Sequence, residues 1–139
     1  MNSHEDLISS IKEAHMELVI YIDQIQPLLR AYFQVKPRVR DMHIKLLAHL
    51  GRQNEMMFDE LRFFYADDRP SLKIVEFLVH DLKDIKIKYL IYMEQHSGEL
   101  ADINAKSFPL DFTHISNEIL ARIKMEEEYL IPLLEKLPP

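Results

Sequence analysis

The chain has 139 residues, of which 47% are hydrophobic, and its formal net charge is −6. The length predicts a single domain over residues 1–139 with one hydrophobic core. The acidic balance argues against nucleic acid as a ligand, because phosphate binding needs a basic surface, and the absence of cysteine excludes disulfides and thiolate metal sites.

The remaining composition favours a soluble, all-α protein. Two glycines and no tryptophan, with repeated isoleucine, leucine, lysine and glutamate, are typical of helices rather than sheets. No apolar run approaches the roughly 18 residues of a membrane span, and the first residues lack the pattern of a signal peptide. The lack of cysteine agrees with a reducing compartment, so we expect a cytoplasmic protein that does not contact membranes.

The first predicted helix has apolar residues at three- and four-residue steps from residue 7 to residue 29. Pro27 lies inside this pattern and should kink or end the helix. His15 is close to the centre of the apolar stripe. A single histidine in such a place is more often a hydrogen-bonded core residue than a ligand, unless other polar residues reach the same point.

The second predicted helix starts around Pro37, a suitable residue for a first turn, and runs to about Phe64. Gln53 lies in the middle of its buried face, and His49 lies on the flank of that face. These two residues are four apart, so they are neighbours on one side of a helix. The second helix therefore also brings polar groups to the core.

The third predicted helix runs from a cap at Ser71 to about residue 98. His80 lies almost opposite its apolar stripe, so it faces the core only if this helix is buried on two sides. The polar segment of residues 98–109 should form the longest loop, before a fourth helix from about Leu110 to Leu137.

The fourth helix carries the most informative polar residue. Glu126 falls near the centre of its apolar stripe, with Arg122 four residues earlier, whereas Glu127 and Glu128 should face water. A core carboxylate is costly unless it is hydrogen-bonded, ion-paired or bound to a metal ion, so Glu126 needs partners from elsewhere in the chain.

Four amphipathic helices with short links predict an antiparallel up-down four-helix bundle. Two interpretations of its polar core residues remain open. Imidazoles and carboxylates from facing helices can converge on a metal ion. Alternatively, Arg122 and Glu126 form an ion pair that His15 and Gln53 complete, giving a buried polar layer that fixes the register of the helices.

The positions of these residues resemble those of the hemerythrin-like, or HHE, cation-binding family. That family has a histidine on the first helix, His-x-x-x-Glu on the second, a histidine on the third, and His-x-x-x-Glu on the fourth before a Glu-x-x-Leu-Phe-Pro tail. His15, His49, His80 and Glu126 match this pattern by position, and the sequence from Glu127 to Pro132 resembles the tail. Gln53 and Arg122 replace a glutamate and a histidine.

This resemblance implies a hemerythrin-like fold and non-haem iron in the bundle core. It implies His15, His49 and Glu126 as ligands, His80 as a further candidate, and Gln53 as a weak ligand or a residue that supports the ligands. It leaves open a mononuclear site, a dinuclear site or no metal, since arginine cannot be a ligand. The implied function is binding or sensing of oxygen, nitric oxide or iron, rather than enzymatic turnover.

A second resemblance is to the Rsd/AlgQ family of sigma-factor-binding regulators, which are acidic four-helix proteins. It rests on the acidic run that follows Arg122 and on residues 28–32, which are similar to the end of that family's first helix. This resemblance implies a metal-free protein whose acidic face binds a basic region of a sigma factor. Separately, the crowding of apolar residues between Met56 and Tyr65 predicts either a thick core or a further interface, such as that of a homodimer.

Overall fold

The computed structural model describes residues 3–96 and 105–138, and every element in these residues is helical. No strand occurs in this part of the chain, so the expected all-α class is confirmed. The elements in order are α1 (Ser3–Ile25), a 3₁₀ turn (Gln26–Leu28), α2 (Tyr32–Arg52), α3 (Glu55–Phe64), α4 (Arg69–Gln95), α5 (Phe108–Met125), a π-helical segment (Glu126–Leu130) and α6 (Ile131–Glu135).

The helices pack as a bundle around one apolar cluster. α1 lies against α2, α4 lies against α5, and the residues from Glu126 to Glu135 contact both α1 and α4. The largest fully buried apolar side chains come from every long helix and include Ile11, Leu18, Leu46, Leu61, Leu78, Phe108, Phe112 and Leu130. None of the described helices has both the length and the apolar character that a membrane crossing requires.

The two prolines near the start of the chain behave differently. Pro27 ends the first helix as predicted, because α1 stops at Ile25 and the chain continues as a 3₁₀ turn. Pro37 does not begin the second helix. α2 starts five residues earlier, where the carbonyl of Ala31 accepts hydrogen bonds from Gln34 and Val35 and the side chain of Val35 is fully buried.

The second helix is broken where the sequence predicted continuity. α2 ends at Arg52 and α3 begins at Glu55, because the side chain of Asn54 accepts a hydrogen bond of 2.9 Å from the backbone N–H of Met57. This contact is a helix N-cap, and it starts a new helix. Gln53 therefore lies at the break, outside the regular backbone of either helix.

We expect Asn54→Ala to lower the free energy of unfolding by about 1 kcal/mol, the usual contribution of an N-cap side chain. Urea unfolding of the purified variant measures this change. Gln34→Ala, an exposed position within α2, is the control and should change little. Equal stability of both variants would show that the helix break does not depend on the cap.

The later helices also begin earlier than expected. Asp68, not Ser71, caps α4, since its carboxylate accepts from the N–H and the hydroxyl of Ser71. α5 begins at Phe108, with Pro109 in its first turn. The predicted loop of residues 98–109 lies mostly outside the described residues, which exclude 97–104.

The fourth predicted helix contains a change of pitch at its most polar point. In the π segment from Glu126 to Leu130, the N–H of Ile131 donates to the carbonyl of Glu126. Pro132 accounts for this, because it lacks the N–H that would continue the α-helical pattern and its ring crowds the preceding turn. Such π segments often occur at functional sites, and this one begins at Glu126.

The crowded apolar residues of α3 divide between core and surface. Met57, Phe58 and Tyr65 are buried, whereas Met56 and Phe63 are 80% and 87% exposed. A thick core explains the first group. The second group leaves the prediction of a further interface open.

Candidate metal centre

Glu126 is the centre of a buried polar cluster. Its side chain is 0% exposed and lies among residues from α1, α2 and α5. The histidines approach one of its carboxylate oxygens: Nε2 of His15 and Nε2 of His49 each lie 2.7 Å from Oε1. Both imidazoles are also almost fully buried. The carboxylate that the sequence placed in the core therefore finds its partners on the first and second helices.

The second oxygen of Glu126 is held by two other donors. Nε2 of Gln53 donates to Oε2 over 2.8 Å, and Nε of Arg122 donates to the same atom over 2.7 Å. A carboxylate has about four lone-pair directions, and protein groups face all of them here. The orientation of the Glu126 side chain is therefore fixed from both sides.

Arg122 donates to three further acceptors besides Glu126. Nη2 donates to Oε1 of Gln53 over 2.6 Å, and Nη1 donates to the carbonyl oxygen of Leu78 and to Oδ2 of Asp81. The guanidinium is 3% exposed, yet two carboxylates, from Glu126 and Asp81, balance its charge. This arrangement gives a buried cation the hydrogen bonds that burial requires.

The outer nitrogens of the two histidines differ. Nδ1 of His15 lies 3.1 Å from Oε1 of Glu127, a side chain that is 54% exposed. Nδ1 of His49 is buried and has no hydrogen-bond partner within the described residues. Histidines that bind metal ions commonly donate their other N–H to a carboxylate, which is the contact that Glu127 offers to His15.

Burial of Glu126 alone would raise its pKa. The hydrogen bonds from His15 and His49, together with the charges of His49 and Arg122, outweigh that effect and hold the pKa of this carboxyl far below its usual range. Glu126 is therefore ionised at neutral pH. An ionised carboxylate between two imidazoles can act as a hydrogen-bond acceptor or as a metal ligand.

A group whose folded-state pKa is lowered stabilises the protein above its unfolded-state pKa, which is about 4.5 for glutamate. The stability is lost progressively as the pH falls below that value towards the lowered folded-state pKa. We expect the free energy of unfolding of the metal-free protein to decrease between neutral pH and about pH 3, and to decrease less steeply in Glu126→Gln.

Urea unfolding at a series of pH values measures this slope. Glu76→Gln is a suitable control, because the surface ion pair with Arg62 also lowers the pKa of Glu76 but that side chain is 42% exposed. It should change the slope less than Glu126→Gln does. Identical slopes for the wild type and Glu126→Gln would contradict the assignment of acid sensitivity to the buried cluster.

His15, His49 and Glu126 form a group that could hold a metal ion, since one ligand atom from each lies within 4.8 Å of the others. Two histidines and one carboxylate are the ligands of many non-haem ferrous sites. Metal–ligand bonds of about 2.1 Å place neighbouring ligand atoms roughly 3.0–3.4 Å apart, so Oε1 must withdraw from each imidazole by only about half an ångström. The types of these donors and their two distances to Oε1 are compatible with a single ion after this small adjustment.

The other predicted site residues have different positions. Gln53 joins the cluster, where its carbonyl oxygen accepts from Arg122 and its amide donates to Glu126, so it supports the carboxylate. Its amide nitrogen also lies 3.4 Å from Nε2 of His49. His80 is exposed on α4 and lies outside the group of three ligand atoms. Its position agrees with the helical pattern around it rather than with the spacing of the family motif.

Two residues of the cluster were not predicted from the sequence. Asp81 lies off the centre of the apolar stripe of its helix, and its approach to Arg122 depends on how α4 packs against α5. Glu127 was expected to face water and is half-exposed, but it also reaches His15. Pro132 was the sequence feature that could have indicated the position of Glu127. The wider π turn that this proline favours changes the direction of the neighbouring glutamate side chains.

We compared the chain with protein-family models, with curated proteins and with solved structures, and none of them matches it.

Proposed function

We propose that this protein binds one non-haem metal ion in the core of its helical bundle, with His15, His49 and Glu126 as the ligands. Iron is the most suitable ion, because two imidazoles and a carboxylate are typical ligands of ferrous iron. The proposal includes the antiparallel up-down arrangement of a hemerythrin-like bundle. The observation that carries it is the convergence of three buried donor atoms, from three helical segments, within the core of the bundle.

The neighbouring residues support a single ion in preference to a pair. Arg122 donates to Oε2 of Glu126, so this oxygen is directed at a fixed positive charge and not at a second metal ion. Gln53 holds the same oxygen. Together they leave Oε1 directed at both imidazoles, while Glu127 is placed to orient His15.

Burial of the cluster limits what could reach a bound ion. Each of the three side chains is at most 2% exposed, so an organic substrate could not approach without opening the bundle. A diatomic gas is small enough to approach the ion without such opening. When bound, ferrous iron would supply an open coordination position for such a ligand. We therefore propose reversible binding or sensing of oxygen, nitric oxide or iron, in agreement with the resemblance to the hemerythrin-like family.

A metal-free regulatory protein is the second candidate, and one observation favours it. Protein donors already surround the carboxylate of Glu126, so the polar layer is complete without a cation. In that case the cluster fixes the register of the helices, and the acidic surface binds a basic partner such as a sigma factor.

Metal titration separates the two candidates. We expect about one ferrous or cobaltous ion per chain, with a rise in melting temperature, since an ion that binds only the folded state stabilises it. Glu126→Gln keeps the size of the side chain and should lose the ion, whereas His80→Ala, at an exposed position, should retain it. A folded wild type that takes up no ion and shows no thermal shift would favour the regulatory candidate.

A further inference from the structure

A separate polar pair lies in the same bundle, apart from the metal cluster. The hydroxyl of Tyr89 on α4 is 2.7 Å from Nδ1 of His43 on α2, and the two rings stack with their centroids 5.6 Å apart. Tyr89 is 5% exposed, whereas His43 is only partly buried. The pair thus joins a core phenol to a histidine near the surface.

The phenol is the donor in this hydrogen bond. No other acceptor within the described residues takes the hydroxyl hydrogen of Tyr89, and a buried hydroxyl must find one. Burial lowers the pKa of His43, so its ring is neutral at neutral pH and Nδ1 offers a lone pair. Burial also raises the pKa of Tyr89, so the phenol keeps its proton until something else removes it.

We propose that Tyr89 is a redox-active tyrosine with His43 as its proton acceptor. A one-electron oxidant, either an oxidised metal centre or an inorganic radical, takes one electron from the phenol. The O–H bond of Tyr89 breaks, and the proton forms a new N–H bond at Nδ1 of His43. The products are a neutral tyrosyl radical, a His43 imidazolium and the reduced oxidant, so charge and atoms balance.

The histidine is what makes oxidation at this position favourable. A phenol that loses an electron without losing its proton becomes a radical cation, which is costly to bury. Tyr65 provides the contrast, since its hydroxyl donates over 2.7 Å to the carbonyl oxygen of Leu133, which cannot take a proton at neutral pH. The chain contains neither tryptophan nor cysteine, so its tyrosines are the side chains that most readily give up one electron.

The surroundings of Tyr89 offer paths for an electron. Its ring stacks on Tyr92 at 5.8 Å, and Tyr92 contacts His96 at 5.0 Å. His43 precedes His49 by six residues on α2, which is about 9 Å along a helix axis. An oxidant formed at the metal centre would therefore be close to the pair. This link rests on the proposed function, whereas the chemistry of the pair does not.

Photo-oxidation of the metal-free, full-length protein tests the pair by itself. The oxidant is photogenerated tris(bipyridine)ruthenium(III), and electron paramagnetic resonance detects the radical that persists after exposed radicals have decayed. We expect a persistent tyrosyl signal in the wild type. We expect it to be lost in Tyr89→Phe, which keeps the ring, and retained in Tyr65→Phe and Tyr129→Phe.

The role of His43 needs a second variant. The glutamine in His43→Gln can still accept the hydrogen bond but cannot take the proton. The rate of radical formation should therefore fall by about tenfold or more. Formation in the wild type should also be slower in D₂O. A persistent signal in Tyr89→Phe, an unchanged rate in His43→Gln, or no slowing in D₂O would overturn the proposal. Because the protein contains no metal in this experiment, its result is independent of the metal titration.

Discussion

Glu126→Ala should abolish metal binding and lower the free energy of unfolding of the metal-free protein by roughly 3–5 kcal/mol. The carboxylate accepts hydrogen bonds from His15, His49, Gln53 and Arg122, and its removal leaves all four donors without this acceptor. The largest part of the cost comes from Arg122, which becomes a buried cation with less compensating charge. Urea unfolding measures the stability, and elemental analysis measures the metal content.

Glu128→Ala is the matched control. Glu128 belongs to the same π segment but is exposed, so its loss should change stability by no more than about 0.5 kcal/mol and leave metal binding intact. If Glu126→Ala were as stable as this control and bound as much metal as the wild type, both the metal centre and the structural layer would be wrong as explanations of the cluster.

Arg122→Met should be the second strongly destabilising substitution, also by roughly 3–5 kcal/mol, because it leaves Glu126 and Asp81 with one fewer partner in a buried site. Methionine fills much of the volume of arginine, so the loss measures charge and hydrogen bonding more than packing. Arg62→Met is the control. Arg62 pairs with Glu76 and Asp59 at the surface, where such ion pairs contribute about 0–1 kcal/mol.

A double-mutant cycle isolates the interaction between the two charged residues. Arg122→Met, Glu126→Gln and the double variant should give a coupling energy of roughly 0.5–3 kcal/mol, as expected for side chains in direct contact. Strictly additive losses would contradict the direct interaction between Nε of Arg122 and Oε2 of Glu126.

The residues of the cluster were largely predictable from helical periodicity. Glu126 and Gln53 were the polar residues at the centres of otherwise apolar stripes, and His15 lay close to the centre of its own. The same pattern put His80 on the outer face of α4, where it is exposed. A charged or amide side chain in a core-facing position is costly, so its presence there already implies partners.

The geometry that joins these residues was not predictable in the same way. Asn54 interrupts the second helix and releases Gln53 from regular helical backbone. Pro132 gives rise to the π segment at Glu126 and to the contact between Glu127 and His15. Both are local effects of one side chain on backbone hydrogen bonding, and a helical wheel of constant pitch does not include them. The contact of Asp81 with Arg122 depends on tertiary packing.

The most direct test of the metal centre is crystallography of the protein grown with ferrous or cobaltous ions, with anomalous diffraction recorded at the absorption edge of the metal. We expect one anomalous peak in the bundle core, within about 2.3 Å of Nε2 of His15, Nε2 of His49 and Oε1 of Glu126. A bundle in which Oε1 of Glu126 stays hydrogen-bonded to both imidazoles, with no anomalous peak beside it at saturating metal, would contradict the proposed function.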